Sequence, residues 1–141
     1  MMDSQGQVSL EYLLIFSISL IIIIAFTLPL LENAMENTFD VSDSLKAKSD
    51  LSKIAFAIEK VYGQGQGSKQ SVKLDVDNPV KITISNNYVS SKIKLKNGDY
   101  KSIRIDVNSK FKSQSFGLKK GMHRVVIQWP VDSEYMMISH D

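Results

Sequence analysis

The chain has 141 residues, 43% of them hydrophobic and 23% charged, with a formal net charge of +2. That length holds one domain of ordinary size beside a long helix, and so small a charge makes no case for nucleic acid. Cysteine is absent, which excludes disulfide staples, thiolate metal sites and a thiol nucleophile.

Charge is unevenly spread. Up to Gly63, the acids Asp3, Glu11, Glu32, Glu36, Asp40, Asp43, Asp50 and Glu59 outnumber Lys46, Lys48, Lys53 and Lys60. The remaining thirteen basic and seven acidic side chains lie beyond that glycine. An acidic stem carries a basic head.

From Tyr12 to Leu31 no side chain is charged. As a helix rising ~1.5 Å per residue, this run reaches roughly 30 Å, the thickness of a bilayer's hydrocarbon core. Glu11 sits at its lip and the small-residue step Gly6-Gln7 lies just before it. An ordinary secretory signal places its small-residue site after the apolar stretch. Here a cut would fall before it, leaving the apolar helix on the mature chain. Such a helix is stored in a bilayer or in the dry centre of a filament.

Gly6, Gln7, Ser9 and Glu11, followed by Leu14 and Ile15, resemble the Q-x-S-x-E pattern of archaeal type IV pilins with class III signal peptides. The motif and apolar run cover about a quarter of the chain. The resemblance implies that a membrane-embedded prepilin peptidase cuts between Gly6 and Gln7. It also implies that Gln7, Ser9 and Glu11 serve assembly, and that the precursor, once membrane-inserted, becomes a homo-oligomeric surface filament. No cofactor is implied. The leader Met1–Gly6 departs from the family in carrying no Lys or Arg.

Pro29 is expected to end or kink the first helix, because it cannot donate to the carbonyl of Ala25. Helical spacing resumes with Met35 and Phe39, then with the stripe Leu51, Ile54, Ala55, Ile58 and Tyr62. That stripe reads as a helix packing on the head's core. Asp40 to Ser44 is polar enough to interrupt it. Gly63 to Ser68 supplies a helix C-cap and a connection. No strand precedes these glycines and no Lys-Ser/Thr pair follows them, as a phosphate loop would require.

After Ser71 the period becomes two. Val72, Leu74 and Val76 alternate with polar residues, as do Val80, Ile82 and Ile84, then Ile93 and Leu95. Asn97-Gly98-Asp99 is a hairpin signal, and Ile103, Ile105 and Val107 form the return strand. Val125, Ile127 and Trp129 continue the pattern to Pro130, and Tyr135 to Ile138 offers a short last strand. Asn108 to Gly121, with Phe111 and Phe116, reads as a loop or poor strand. The fold class is therefore α+β, and the resemblance implies that it is pilin-like. A long N-terminal helix, apolar and then amphipathic, packs on one antiparallel sheet of about six strands. Four segments follow: leader 1–6, apolar helix 7–31, amphipathic stem 32–63 and β head 64–141.

Sites in the head are few. Asp75 and Asp77 share a strand face and form the one acidic cluster worth weighing for calcium, although Asn78-Pro79 reads as a plain turn. No serine sits in an elbow with His and Asp partners, so no enzyme is expected, and no Asn-x-Ser/Thr sequon occurs. Lys92, Lys94 and Lys96 line one strand face, near Lys73, Lys81 and Arg104 if the sheet order permits. They are either a solvated face that discourages edge pairing or a patch for an anionic surface or a neighbour's acidic stem. The resemblance makes the chain a filament subunit for adhesion or surface attachment. The rivals are a minor pilin and a binding or sensor domain tethered by an uncleaved anchor.

Overall fold

The computed structural model describes residues 4–141; Met1, Met2 and Asp3 of the leader lie outside the described residues. One α-helix, α1, spans Ser4–Gln64 and contains Pro29. The helix ends neither at Pro29 nor at Asp40–Ser44 but passes through both. Pro29 costs a single backbone hydrogen bond, and helical turns on both sides remain intact. Two compact units divide within α1, Met1–Phe39 and Asp40–Asp141.

In the first unit the apolar side chains from Leu10 to Leu31 are exposed, many of them by half or more. The helix has no core of its own to bury them in. Three hydroxyls within the apolar run are satisfied by the helix itself. Ser17, Ser19 and Thr27 donate to the carbonyls of Leu13, Ile15 and Ile23 at 2.8, 2.8 and 2.7 Å. Back-bonding of this kind is what an apolar medium demands of a polar side chain on a helix.

In the second unit, the α1 stripe Leu51, Ile54, Ala55 and Ile58 is buried, as the spacing predicts, and Val61 completes it. The helix stops in a left-handed glycine. Gly65 has φ 83°, and its N–H donates to Val61 O at 3.0 Å, the αL form of C-cap. Ser68 Oγ donates to that same carbonyl at 3.0 Å.

Seven strands follow: β1 Lys69–Val76, β2 Val80–Ile84, β3 Tyr88–Lys94, β4 Tyr100–Asp106, β5 Gln114–Leu118, β6 Gly121–Gln128 and β7 Met137–His140. They form two antiparallel sheets, β1-β6-β7 and β4-β3-β2-β5, where the sequence suggested one. The division falls at Asn78-Pro79. Proline cannot donate to a ladder and holds the residue before it extended, so β2 leaves β1 and pairs with β3 and β5. β1 pairs instead with β6, from Lys69 opposite Gln128 to Val76 opposite Gly121. Of the two readings of Asn108–Gly121, loop or poor strand, β5 takes the strand, with Phe116 and Leu118 either side of Gly117. The Asn97-Gly98 hairpin forms as predicted. Gly98 has φ 90°, and Leu95 N–H donates to Asp99 O at 2.8 Å.

One hydrophobic core joins the helix to both sheets. It contains Leu74, Val76, Val125 and Ile127 from the first sheet and Ile82, Ile84, Val89 and Leu118 from the second. Phe111 and Met136 close it from loops, which Met136 N–H bonding Lys110 O at 2.9 Å holds together. The start of this unit's helix is tied to two turns of the head. Asp40 Oδ1 accepts from Lys96 N–H at 2.9 Å, Asp43 Oδ2 accepts from Asn78 Nδ2 at 3.4 Å, and Lys46 pairs with Asp77.

Candidate functional site

The residues of the N-terminal motif occupy the first turns of α1. Gly6, Gln7, Ser9 and Glu11 are all exposed. Gln7 and Glu11 stand four apart, one turn on the same helix face, about 6 Å along the axis. Ser9 falls on the opposite side. Among the described residues Glu11 makes no ion pair.

Gly6 gains nothing from the fold. A Cβ built there would meet no heavy atom within 4 Å. Glycine is a poor helix former, weaker than alanine by about 0.8–1.0 kcal/mol. The helix beyond it has a most apolar 18-residue window of mean hydropathy 2.8, none of it buried. Length and composition suffice to cross a membrane.

The comparisons fall on this same stretch. Residues 4–30 match the family model described as Class III signal peptide, the kind of segment carried by type IV pilin-like proteins. No curated protein and no solved structure matches the chain. A signal peptide joined to an exposed apolar helix is consistent with a membrane-inserted precursor that is then secreted.

In the head, Asp77 is engaged by Lys46, whose ammonium is held above its ordinary value of 10.5, chiefly by that hydrogen bond. Among the described residues no three His, Cys, Asp or Glu side chains converge. The basic face differs from the sequence expectation in its membership. Lys81 stands directly opposite Lys92, and Arg104 opposite Ser90, so Lys81, Lys92, Lys94 and Arg104 share the outer face of the four-stranded sheet. Lys73 is on β1 in the other sheet, opposite Arg124. Lys96 lies beyond the end of β3, in the turn. Two tyrosines lie under these cations: Lys92 Nζ is 4.9 Å from the Tyr100 ring centroid and Arg104 is 4.1 Å from that of Tyr88.

On the inner side of that sheet, a cleft of about 1050 Å³ opens between α1 and the ends of β2, β3 and β5. Leu51, Leu74, Val76, Ile82 and Leu118 line it. The sequence carried no signal for this cleft, because its walls come from segments far apart in the chain.

Proposed function

We propose that this chain is a structural subunit of a type IV pilus-like filament, of the archaeal Q-x-S-x-E kind. In this reading a prepilin peptidase cuts between Gly6 and Gln7, and Gln7, Ser9 and Glu11 then serve assembly. The apolar helix leaves the bilayer for the centre of an extracellular polymer while the β head faces the medium. The filament serves adhesion or surface attachment, and the chain has no catalytic role. One observation carries the proposal. The stretch matching a class III signal peptide, residues 4–30, coincides with the segment of α1 whose apolar side chains are exposed. Lipid covers that surface before assembly, so close helix-on-helix packing, and not removal from water, supplies the drive for association.

The test is the mass of the N-terminal peptide of protein taken from its native membrane or filaments. Gln7, free or cyclised, is the expected terminus. Recovery of Met1 or Met2 as the sole terminus would defeat the proposal. A second reading, a tethered binding domain with an uncleaved anchor, is favoured by the apolar cleft, whose size suits a small-molecule site. The same measurement separates the two.

A further inference from the structure

The outer face of the four-stranded sheet holds an arrangement that costs stability. Lys81 and Lys92 are directly opposed on neighbouring antiparallel strands. Like charges in that position repel, because their Cβ atoms stand about 4.5–5.5 Å apart. Lys94 follows on the same face, two residues along β3, and neither Lys81 nor Lys94 has an acidic partner among the described residues. The acid of this face, Asp106, is already taken by Arg104 at 2.9 Å. Three ammonium groups are thus gathered with no ion-pair partner among the described residues.

The complementary row lies elsewhere on the chain. Leu31-Glu32, Met35-Glu36 and Phe39-Asp40 repeat an apolar–acid pair every four residues along α1. Leu31 and Met35 are 53% and 57% exposed, and Glu32 and Glu36 have no ion-pair partner among the described residues. On a helix, positions four apart are separated by ~6 Å along the axis. On a strand, positions two apart are separated by ~6.6 Å. Glu32 and Glu36 therefore match Lys92 and Lys94 in spacing, and Met35 would meet the exposed Tyr100 ring beside them. A thioether on an aromatic ring is a favourable contact.

We infer that the Lys81–Lys92–Lys94 face of one copy receives the Leu31–Asp40 segment of a second copy. This inference rests on the filament reading. The two surfaces differ, so the contact is head-to-tail and non-closing, and it repeats along a polymer. Each exposed charge pair is weak alone; repetition along the filament multiplies it.

The chain has no cysteine, so introduced thiols report directly. The experiment uses the full chain carrying Glu36→Cys with Lys94→Cys, isolated as filaments, oxidised and run without reductant. The expected result is a ladder of covalent oligomers that neither single variant gives. In parallel, Lys92→Glu with Lys94→Glu should reduce filament yield about tenfold, the effect of losing two modest surface pairs. Adding Glu32→Lys and Glu36→Lys should restore it. Wild-type filaments that form normally while the thiols fail to cross-link and charge reversal changes nothing would overturn this contact and leave the filament reading standing. Loss of yield without cross-linking or rescue also overturns it, and binding of phosphatidylglycerol vesicles through the same lysines would then assign the face to a membrane surface. Correctly processed wild-type chain that never polymerises defeats the filament reading, and this inference with it.

Discussion

Tyr62 and Trp129 stack with their rings 5.9 Å apart and their planes 5° from parallel. The pair joins the last turn of α1 to the residue following β6. Around it, Trp129 N–H donates to Ser68 O at 2.9 Å, Gly67 N–H to Trp129 O at 2.6 Å, and Trp129 Nε1–H to Ser133 O at 2.8 Å. The end of the helix, the glycine connection and the β6–β7 loop are thereby one fastened corner. The amphipathic half of α1 belongs to the head's core.

A fragment beginning at Asp40 should therefore fold without the apolar helix. It keeps the buried stripe and all three ties from Asp40, Asp43 and Lys46 to the turns. Its thermal unfolding, followed by circular dichroism, should be a single cooperative transition, as for most small domains. A broad, non-cooperative melt would show that the core needs residues before Asp40.

The same fragment allows the corner to be measured. Trp129→Ala should cost roughly 2–3 kcal/mol, below the 3–5 typical of fully buried aromatics because Trp129 is only partly covered. A double-mutant cycle with Tyr62→Ala should return a coupling of about 0.5–1.5 kcal/mol. Strict additivity of the two single variants would mean that the rings lie together without stabilising one another.

His123 binds through both ring nitrogens. Nδ1 is 2.8 Å from the main-chain oxygen of Asp141 and Nε2 is 2.8 Å from that of Lys119. Both partners are acceptors, so the form that satisfies both is the imidazolium, which donates twice. The bond to Asp141, then that to Lys119, holds the pKa above its ordinary 6.5. A raised folded-state value means stability that is fully present below the unfolded pKa and lost as pH rises through the folded one. The melting temperature of the Asp40 fragment should fall as pH rises from the ordinary 6.5 through the raised folded-state value, and more steeply than in His123→Gln. An NMR titration placing His123 at or below 6.5 would contradict this assignment.

Much of this was legible in the sequence where the signal is local. A change of period from three-to-four to two marks where α1 gives way to strands, and Asn97-Gly98 marks its hairpin because only such residues take positive φ cheaply. Pairing between β1 and β6 was not legible, since nothing in Lys69–Val76 names a partner about fifty residues away. The single-sheet reading failed there, with Pro79 as the local clue. Tyr62 fits the buried stripe by spacing, yet Val61 is the residue fully inside, and Tyr62 sits at the edge against Trp129. The N-terminal motif could be seen only as a pattern. That Gly6 is unneeded by the fold required coordinates.

Gly6→Val follows from that last point. A Cβ there meets no heavy atom within 4 Å and the position lies outside the head, so the head should fold normally and its melting temperature should not move. Processing should nevertheless stop, with the leader retained on intact precursor by mass spectrometry. Normal cleavage of this variant would show that the peptidase does not choose its site by the small residue.

Glu11→Gln tests assembly apart from processing. A carboxylate in a water-poor helical core costs several kcal/mol even after relaxation unless it is paired. Within the single chain Glu11 has no ion-pair partner among the described residues. Cleavage before Gln7 would create one, an α-amino group with a reference pKa of about 7.7–8.0 that is mostly charged at neutral pH. Residues 7 and 11 share a helix face, so the pair can close within one subunit. In a polymer the carboxylate can instead reach the amine of the subunit added before it, which rewards correct axial register. Glutamine keeps the shape and removes the charge. The variant should be cut normally and fold normally, and electron microscopy should find few or no filaments. Wild-type filament yield would show that charge pairing at Glu11 does not drive assembly, even in a chain that still polymerises.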